Sequence, residues 1–263
     1  MGSGTIAGNA PARFDNHRVP IVMSPPLFRI KICGVTTPAD AAFVGTAGAD
    51  AVGFNFVPGS LRVIDPDVAR AARACLPAGV LAVGVFAGMP PDQMLTIARR
   101  VGLDAIQLHG HLEGESPATD PPARCRDIAQ AGLKLIRAIR LGHDGLAAAR
   151  RWISAANAHG MGPAMIIVDA GVPRDATAGT LGGTGHRVDW EALAREPALA
   201  LPTALAGGLT PKNVAAAIQK TGAVGVDTAS GVESALGRKD PELVRAFIAA
   251  AQAALAGQTD TLC

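Results

Sequence analysis

Pro202–Glu233 reads PTALAGGLTPKNVAAAIQKTGAVGVDTASGVE, and this stretch decides the fold. Thr203–Ala206 is a short apolar run that stops at Gly207-Gly208. Thr210 then reads as an N-cap, with Pro211 as the first helical residue and a helix over Pro211–Lys220. Ala223–Val226 begins a second apolar run, which passes through Asp227 and ends at Ala229-Ser230-Gly231. Two successive strands thus lead into turns that carry glycine, where backbone can approach a ligand closely. Exposed N–H groups at such turns favour an anion. The plainer alternative is that these glycines only serve tight turns.

Working outward, the same alternation runs back to Phe28. Apolar runs at Phe28–Ile32, Ala51–Phe56, Leu81–Phe86, Ala105–Leu108, Leu133–Ile139 and Ala164–Val168 precede the two already described, giving eight. Helical patterns follow them at Pro38–Ala47, Pro66–Leu76, Pro90–Val101, Ala123–Ala131, Gly145–Ala156 and Asp189–Arg195, and a last one at Pro241–Leu255. Strands alternating with helices imply parallel βαβ units. Eight units in one chain of 263 residues favour a closed (β/α)8 TIM barrel, an α/β fold, over an open sheet. No GxGxxG follows the first strand, which removes the main support for a dinucleotide fold. The expected organisation is a disordered extension over residues 1–26, a barrel domain over 27–256 and a tail over 257–263.

Composition narrows the function. The chain is 49% hydrophobic, with 3% aromatic residues and a net charge of +2. The near balance of charge gives no electrostatic support for nucleic-acid binding, and no apolar run is long enough to span a bilayer. Cys33, Cys75, Cys125 and Cys263 are widely spaced and form no CxxC pair. This argues against a zinc site or a disulfide framework and fits a reducing cytoplasm.

In such a barrel, active groups stand at the carboxyl ends of the strands, and the turns after strands seven and eight commonly hold phosphate. Cys33 ends strand one in RIKICG, and Asp169 ends strand six in MIIVDAG. Each has a plain alternative, Cys33 as a small core residue and Asp169 as a turn cap. Lys31 shares a face with Cys33, because residues two apart on a strand point the same way. Strands one and eight adjoin in a closed barrel, so Lys31 and Asp227 are expected to pair, in a catalytic or a purely structural ion pair. Arg62, in NFVPGSLR, has the planar fork that grips a carboxylate, although a lone loop arginine is also ordinary surface. Gln107 and His109, in AIQLHG, are candidates to position substrate; no second metal-ligand residue is spaced to His109. Two long connections, Gly110–Pro122 and Ala170–Val188, leave the carboxyl ends of strands four and six. The first reads as an insertion without a role, and the second, rich in Gly and Thr, as a lid. Asp189 reads as a helix cap.

Taken together, KICGVT (31–36), GFNFVPGSLR (53–62), AIQLHG (105–110), IIVDAG (166–171), GGTGHRVDW (182–190), LAGGLTPKNV (205–214) and VDTASGVE (226–233) resemble the phosphoribosylanthranilate isomerase family of tryptophan biosynthesis. The resemblance covers about residues 28–250. It implies an Amadori rearrangement of N-(5-phosphoribosyl)anthranilate to 1-(2-carboxyphenylamino)-1-deoxyribulose 5-phosphate, with no metal and no organic cofactor. It further implies Cys33 as general base, Asp169 as general acid and Arg62 on the anthranilate carboxylate. Phosphate would fall to Gly183, Gly185, Gly207, Gly208, Ser230 and Gly231, with Lys31, Gln107, His109 and Asp227 in support. The expected partner is thus a phosphorylated small molecule, and the protein a monomer or homodimer. For a cysteine base the thiol is expected to be depressed, with Lys31 favouring the thiolate. Two alternatives remain: a different isomerase or synthase on a phosphate-binding barrel, which predicts another acid–base set, and a catalytically silent phosphate-binding barrel.

Overall fold

A computed structural model describes residues 24–112, 114, 116, 119–141, 145–169 and 190–259. Among them, eight parallel strands close into a barrel: β1 (Ile30–Cys33), β2 (Ala51–Asn55), β3 (Leu81–Phe86), β4 (Ala105–Leu108), β5 (Lys134–Arg140), β6 (Met165–Asp169), β7 (Thr203–Leu205) and β8 (Gly225–Thr228). Between and after them run α1 (Pro38–Thr46), α2 (Pro66–Ala74), α3 (Pro91–Val101), α4 (Arg124–Gln130), α5 (Ala147–Ala158), α6 (Trp190–Arg195), α7 (Val214–Thr221) and α8 (Pro241–Thr259). Closure is made by β1 against β8, with Lys31 opposite Asp227 in register.

Local sequence explains the helix starts. The Thr37 side chain accepts from Asp40 N at 3.1 Å just before Pro38, and Asp65 caps α2 in the same way before Pro66. The expectation for α7 is corrected: it begins at Val214, not Pro211. The Asn213 side chain closes a turn instead, accepting from Thr210 N at 2.8 Å and donating to Gly208 O at 3.0 Å. Proline at 211 therefore sits in that turn rather than at a helical N1. At the other end of the chain α8 extends to Thr259, beyond the expected Leu255.

Side-chain alternation divides the core in two. One cluster, including Phe28, Ala51, Val83, Ala105, Ile136, Ala138, Met165, Ile167, Ala204 and Ala206, fills the barrel interior. A larger cluster packs the outer strand faces against the helices. Because the strand period is two, the interior positions continue upward to Gln107 on β4, Arg140 on β5 and Asp169 on β6. On β1 and β8 the corresponding positions are Lys31, Cys33 and Asp227.

The insertion after β4 is anchored beneath its tip. Buried Asp120 accepts from Gly88 N at 3.0 Å, from Gly110 N at 2.7 Å and from Arg124. Arg137 is buried beside it, donating to Leu108 O at 2.7 Å and Gly110 O at 2.8 Å, with its guanidinium 4.9 Å over the Trp152 ring. Burial lowers Arg137 to about 10, which leaves it charged at neutral pH. Two short strands missing from the sequence reading, β9 (Glu233–Ala235) and β10 (Arg238–Lys239), form a hairpin after β8.

Candidate active site

The mouth is built on the seam between β1 and β8. Lys31 is fully buried, and its Nζ stands 3.0 Å from each carboxylate oxygen of Asp227. Burial works against the ammonium, but the charge of Asp227 outweighs it, so Lys31 holds its proton more firmly than an ordinary lysine. Cys33 stands one step further up the same face. A Cβ at Gly53 on β2 would lie 2.7 Å from the Cys33 sulfur and 3.1 Å from Lys31 Nζ. Glycine there keeps room for the thiol.

The expectation for Cys33 is corrected in direction. Burial pushes the thiol up, and Lys31, which pulls it down, does not reverse this. Lys31 spends its charge on Asp227 at hydrogen-bond distance. The resting molecule therefore holds Cys33 as a thiol at neutral pH.

On the other side of the mouth, Asp169 ends β6 and lies 3.1 Å from His109 Nε2. His109 is carried just beyond β4, where its backbone N–H donates to Phe86 O at 2.8 Å. Gln107 is buried on the same strand, and its Oε1 meets no donor among the described residues. Arg140, the register partner of Asp169 on β5, has buried Nε and Nη2 groups without an acceptor among the described residues. Sequence reading did not single it out; the signal was its place two residues beyond inward-facing Ala138.

Arg62 sits in a loop that its own sequence shapes. Asn55 ends β2, donates to Ser60 Oγ at 2.8 Å and accepts from Val57 N at 2.8 Å; Ser60 Oγ also accepts from Arg62 N at 3.2 Å. The Arg62 guanidinium is held by Glu233, with Nε to Oε1 at 2.8 Å and Nη2 to Oε2 at 2.7 Å. Buried Lys239 then donates to Glu233 Oε1 at 2.7 Å and to Ala229 O at 3.1 Å. Burial raises the Glu233 carboxyl, but Arg62 and Lys239 together hold it below its ordinary range. Neither Glu233 nor Lys239 was singled out from the sequence.

The two glycine turns adjoin. Gly207 and Gly208 have φ of 91° and 63°, and their N–H groups meet no acceptor among the described residues. Ser230 and Gly231 lie in a 3₁₀ turn, Ser230–Val232, after β8. A Cβ at Gly231 would come within 1.8 Å of Leu209 O, and Thr228 Oγ1 donates to that same carbonyl at 2.7 Å. The β7 and β8 turns are thereby locked together. Gly183 and Gly185, the expected lid Ala170–Val188 and the Asp189 cap lie outside the described residues, as do residues 1–23 of the expected extension and Cys263. Among the described residues, no group of three or more His, Cys, Asp or Glu is placed to hold a metal ion.

Cys33 and Asp169 are thus inward-facing groups at the carboxyl ends of two strands of one barrel. Beside them lie an arginine fork and two interlocked turns, of which Gly207 and Gly208 carry N–H groups that meet no acceptor among the described residues. Chemically, a thiol and a carboxyl group can exchange protons, and an arginine or free N–H groups can meet an anion.

Comparison with known proteins agrees. Residues 30–250 match the family model described as N-(5'-phosphoribosyl)anthranilate isomerase. The isomerase of that name from Rubrobacter xylanophilus is 40% identical over 225 residues, covering 85% of this chain and 98% of the relative. The one from Myxococcus xanthus is 40% identical, covering 85% and 96%. The crystal structure of phosphoribosyl anthranilate isomerase from Thermotoga maritima superposes with a TM-score of 0.67 at 34% identity, covering 86% of this chain and 99% of the other. A second isomerase structure, in complex with reduced 1-(o-carboxyphenylamino)-1-deoxyribulose 5-phosphate, gives a TM-score of 0.65 at 33% identity, with 86% and 99% covered. A further one, of monomers derived from the dimeric Thermotoga maritima enzyme, gives 0.64 at 32% identity, with 86% and 99% covered. With sequence, barrel and matched relatives in agreement over the same residues, the chain belongs to the N-(5'-phosphoribosyl)anthranilate isomerase family.

Proposed function

We propose that Cys33 is the base and Asp169 the acid with which this aldose–ketose isomerase of tryptophan biosynthesis rearranges N-(5-phosphoribosyl)anthranilate. The observation that carries the assignment is their placement, inward at the ends of β1 and β6 in one closed barrel. Asp169 protonates the furanose ring oxygen, and the ring opens to an iminium. The iminium withdraws electrons from the adjacent sugar carbon and makes its proton acidic. Cys33 removes that proton, and the enolamine tautomerises to the ketose product.

The raised thiol of the resting site fits this order. The positive iminium forms only after ring opening, and a cation beside Cys33 favours the thiolate. The base is thus activated by the intermediate it acts on, the thiol proton leaving to water before the thiolate takes the proton from carbon. His109 bears on the acid. With its proton on Nε2 it donates to an ionised Asp169, and with Nε2 bare it accepts from a protonated one.

Arg62 grips the anthranilate carboxylate, and the phosphate lies against the N–H groups of Gly207, Gly208, Ser230 and Gly231. Lys31 and Asp227 form the charged floor, and Gln107 contacts the sugar. The ligand is a phosphorylated small molecule rather than a nucleic acid, and the protein acts as a monomer or homodimer in the cytoplasm. Free Cys33, Cys75 and Cys125 support the compartment, and none of the helices is long and apolar enough to cross a membrane among the described residues.

The substrate fluoresces through its anthranilate ring, which gives the test. Generated in place from anthranilate and phosphoribosyl pyrophosphate, it should lose fluorescence with the wild type and not with Cys33→Ala. Turnover by both proteins would remove Cys33 from its role, and turnover by neither, with folded protein, would reject the substrate.

A further inference from the structure

We propose that Glu233 and Lys239 are a positioning pair that aims Arg62 at the substrate carboxylate and ties that end of the site to the phosphate end. This rests on Arg62 being the carboxylate-binding residue, and concerns what sets its direction.

Arg62 is restrained both along its stem and at its head. Its stem lies over Gly34, where a Cβ would come within 2.4 Å of Arg62 Cδ. Glu233 takes one Nε and one Nη2 donor in a two-point contact, and two such bonds fix the plane of a guanidinium as well as its place. Of the donors left over, one on Nη1 and one on Nη2 point together off the end of the guanidinium, and the other Nη1 donor points back towards the Cδ side. A carboxylate from substrate can make a two-point contact with Arg62 only at that paired end.

Glu233 by itself would compete with that carboxylate by cancelling the charge of Arg62. Lys239 answers this. Its ammonium is buried against Glu233 Oε1, so one anion lies between two cations and the cluster keeps a net positive charge. Lys239 also donates to Ala229 O, the carbonyl immediately before Ser230 in the β8 turn. One chain of contacts thus runs from Arg62 through Glu233 and Lys239 to the phosphate turn, and the spacing of the two anion sites is set by it.

The test compares two competitive inhibitors on the full chain: the reduced product analogue carrying its aryl carboxylate, and the same compound without the carboxylate. Wild type should prefer the first, and Arg62→Ala should abolish that preference. Glu233→Gln, with circular dichroism confirming the fold, should shrink the preference about tenfold or more while kcat changes less than about threefold. The Arg62→Ala/Glu233→Gln double variant should match Arg62→Ala alone, because Glu233 acts through Arg62. A purely structural Glu233 would weaken both inhibitors equally and add to the Arg62 loss, which would overturn the inference. If Arg62→Ala kept the preference, the carboxylate role itself would fail; if only Glu233→Gln kept it, the positioning role alone would fail. Should Glu233→Gln not fold, Lys239→Met carries the same comparison, with a loss of preference expected and an unchanged preference overturning the pair.

Discussion

Lys31 and Asp227 meet at the seam of the barrel with the lysine nitrogen 3.0 Å from both carboxylate oxygens, directly below Cys33 on the same strand face. The charge nearest the thiol is therefore already engaged. Replacing Asp227 by Asn frees the ammonium, and Cys33 should then titrate lower than in wild type. Alkylation of Cys33 by iodoacetamide as a function of pH measures this. An unchanged or upward-shifted profile would contradict the account of the seam.

The same pair predicts a stability pattern. Lys31→Met leaves a buried carboxylate without its partner and should cost about 3–5 kcal/mol in urea denaturation. The double variant Lys31→Met/Asp227→Leu removes both charges, and should recover much of that loss. A double variant as unstable as the sum of the singles would show that the pair is not the source of the cost.

The raised Cys33 thiol sets a pH dependence for the free enzyme. The thiolate grows in only above the ordinary thiol value of 9.0, so kcat/KM should keep rising on the alkaline side of neutrality. The linkage runs the other way for stability. A thiol raised by folding stabilises fully below its unfolded pKa, and that contribution is lost as pH rises through the folded value. An alkaline limb that persisted unchanged in Cys33→Ser would assign it to another group.

With Asp169 as the proposed acid of the ring opening, Asp169→Asn should lower kcat by about 10²–10⁴-fold with little change in fold. Burst and steady-state kinetics on the same fluorescent substrate would show whether ring opening is the step lost.

Asp120 anchors the loop after β4 by accepting from Gly88 N and Gly110 N and by facing buried Arg137 at 3.6 Å. Asp120→Ala should therefore destabilise the protein by about 3–5 kcal/mol, since it strands a buried cation and two backbone donors. Thermal unfolding of the variant decides it; a loss below about 1 kcal/mol would mean that solvent replaces the carboxylate.

Much of this architecture is legible from local chemistry. Alternating apolar runs mark all eight barrel strands, and prolines beside Thr37 and Asp65 mark helix starts, because these signals act over a few residues. Lys31 and Asp227 were also legible, since closure of the barrel forces the first and last strands together. Misreading began where a side chain redirected the backbone: Asn213 closes its own turn, and Pro211 alone does not reveal that. The Arg62–Glu233 contact joins positions 171 residues apart, and the hairpin that delivers Glu233 has strands of three and two residues. No periodicity exists at that length. The direction of the Cys33 shift was missed for a related reason, because a sequence gives the neighbours of a thiol but not how far burial outweighs them.

The seam has a consequence for the order in which the protein comes into being. Lys31 leaves the ribosome well before its partner, because the carboxylate that lets it be buried lies 196 residues later in the chain. Until β8 emerges, β1 has no settled place, because an ammonium without its counter-charge is expelled from an apolar interior. Nascent chains that stop short of Asp227 are therefore held open at the strand that carries Cys33. Closure of the barrel arrives with β8, as a single late event rather than by degrees.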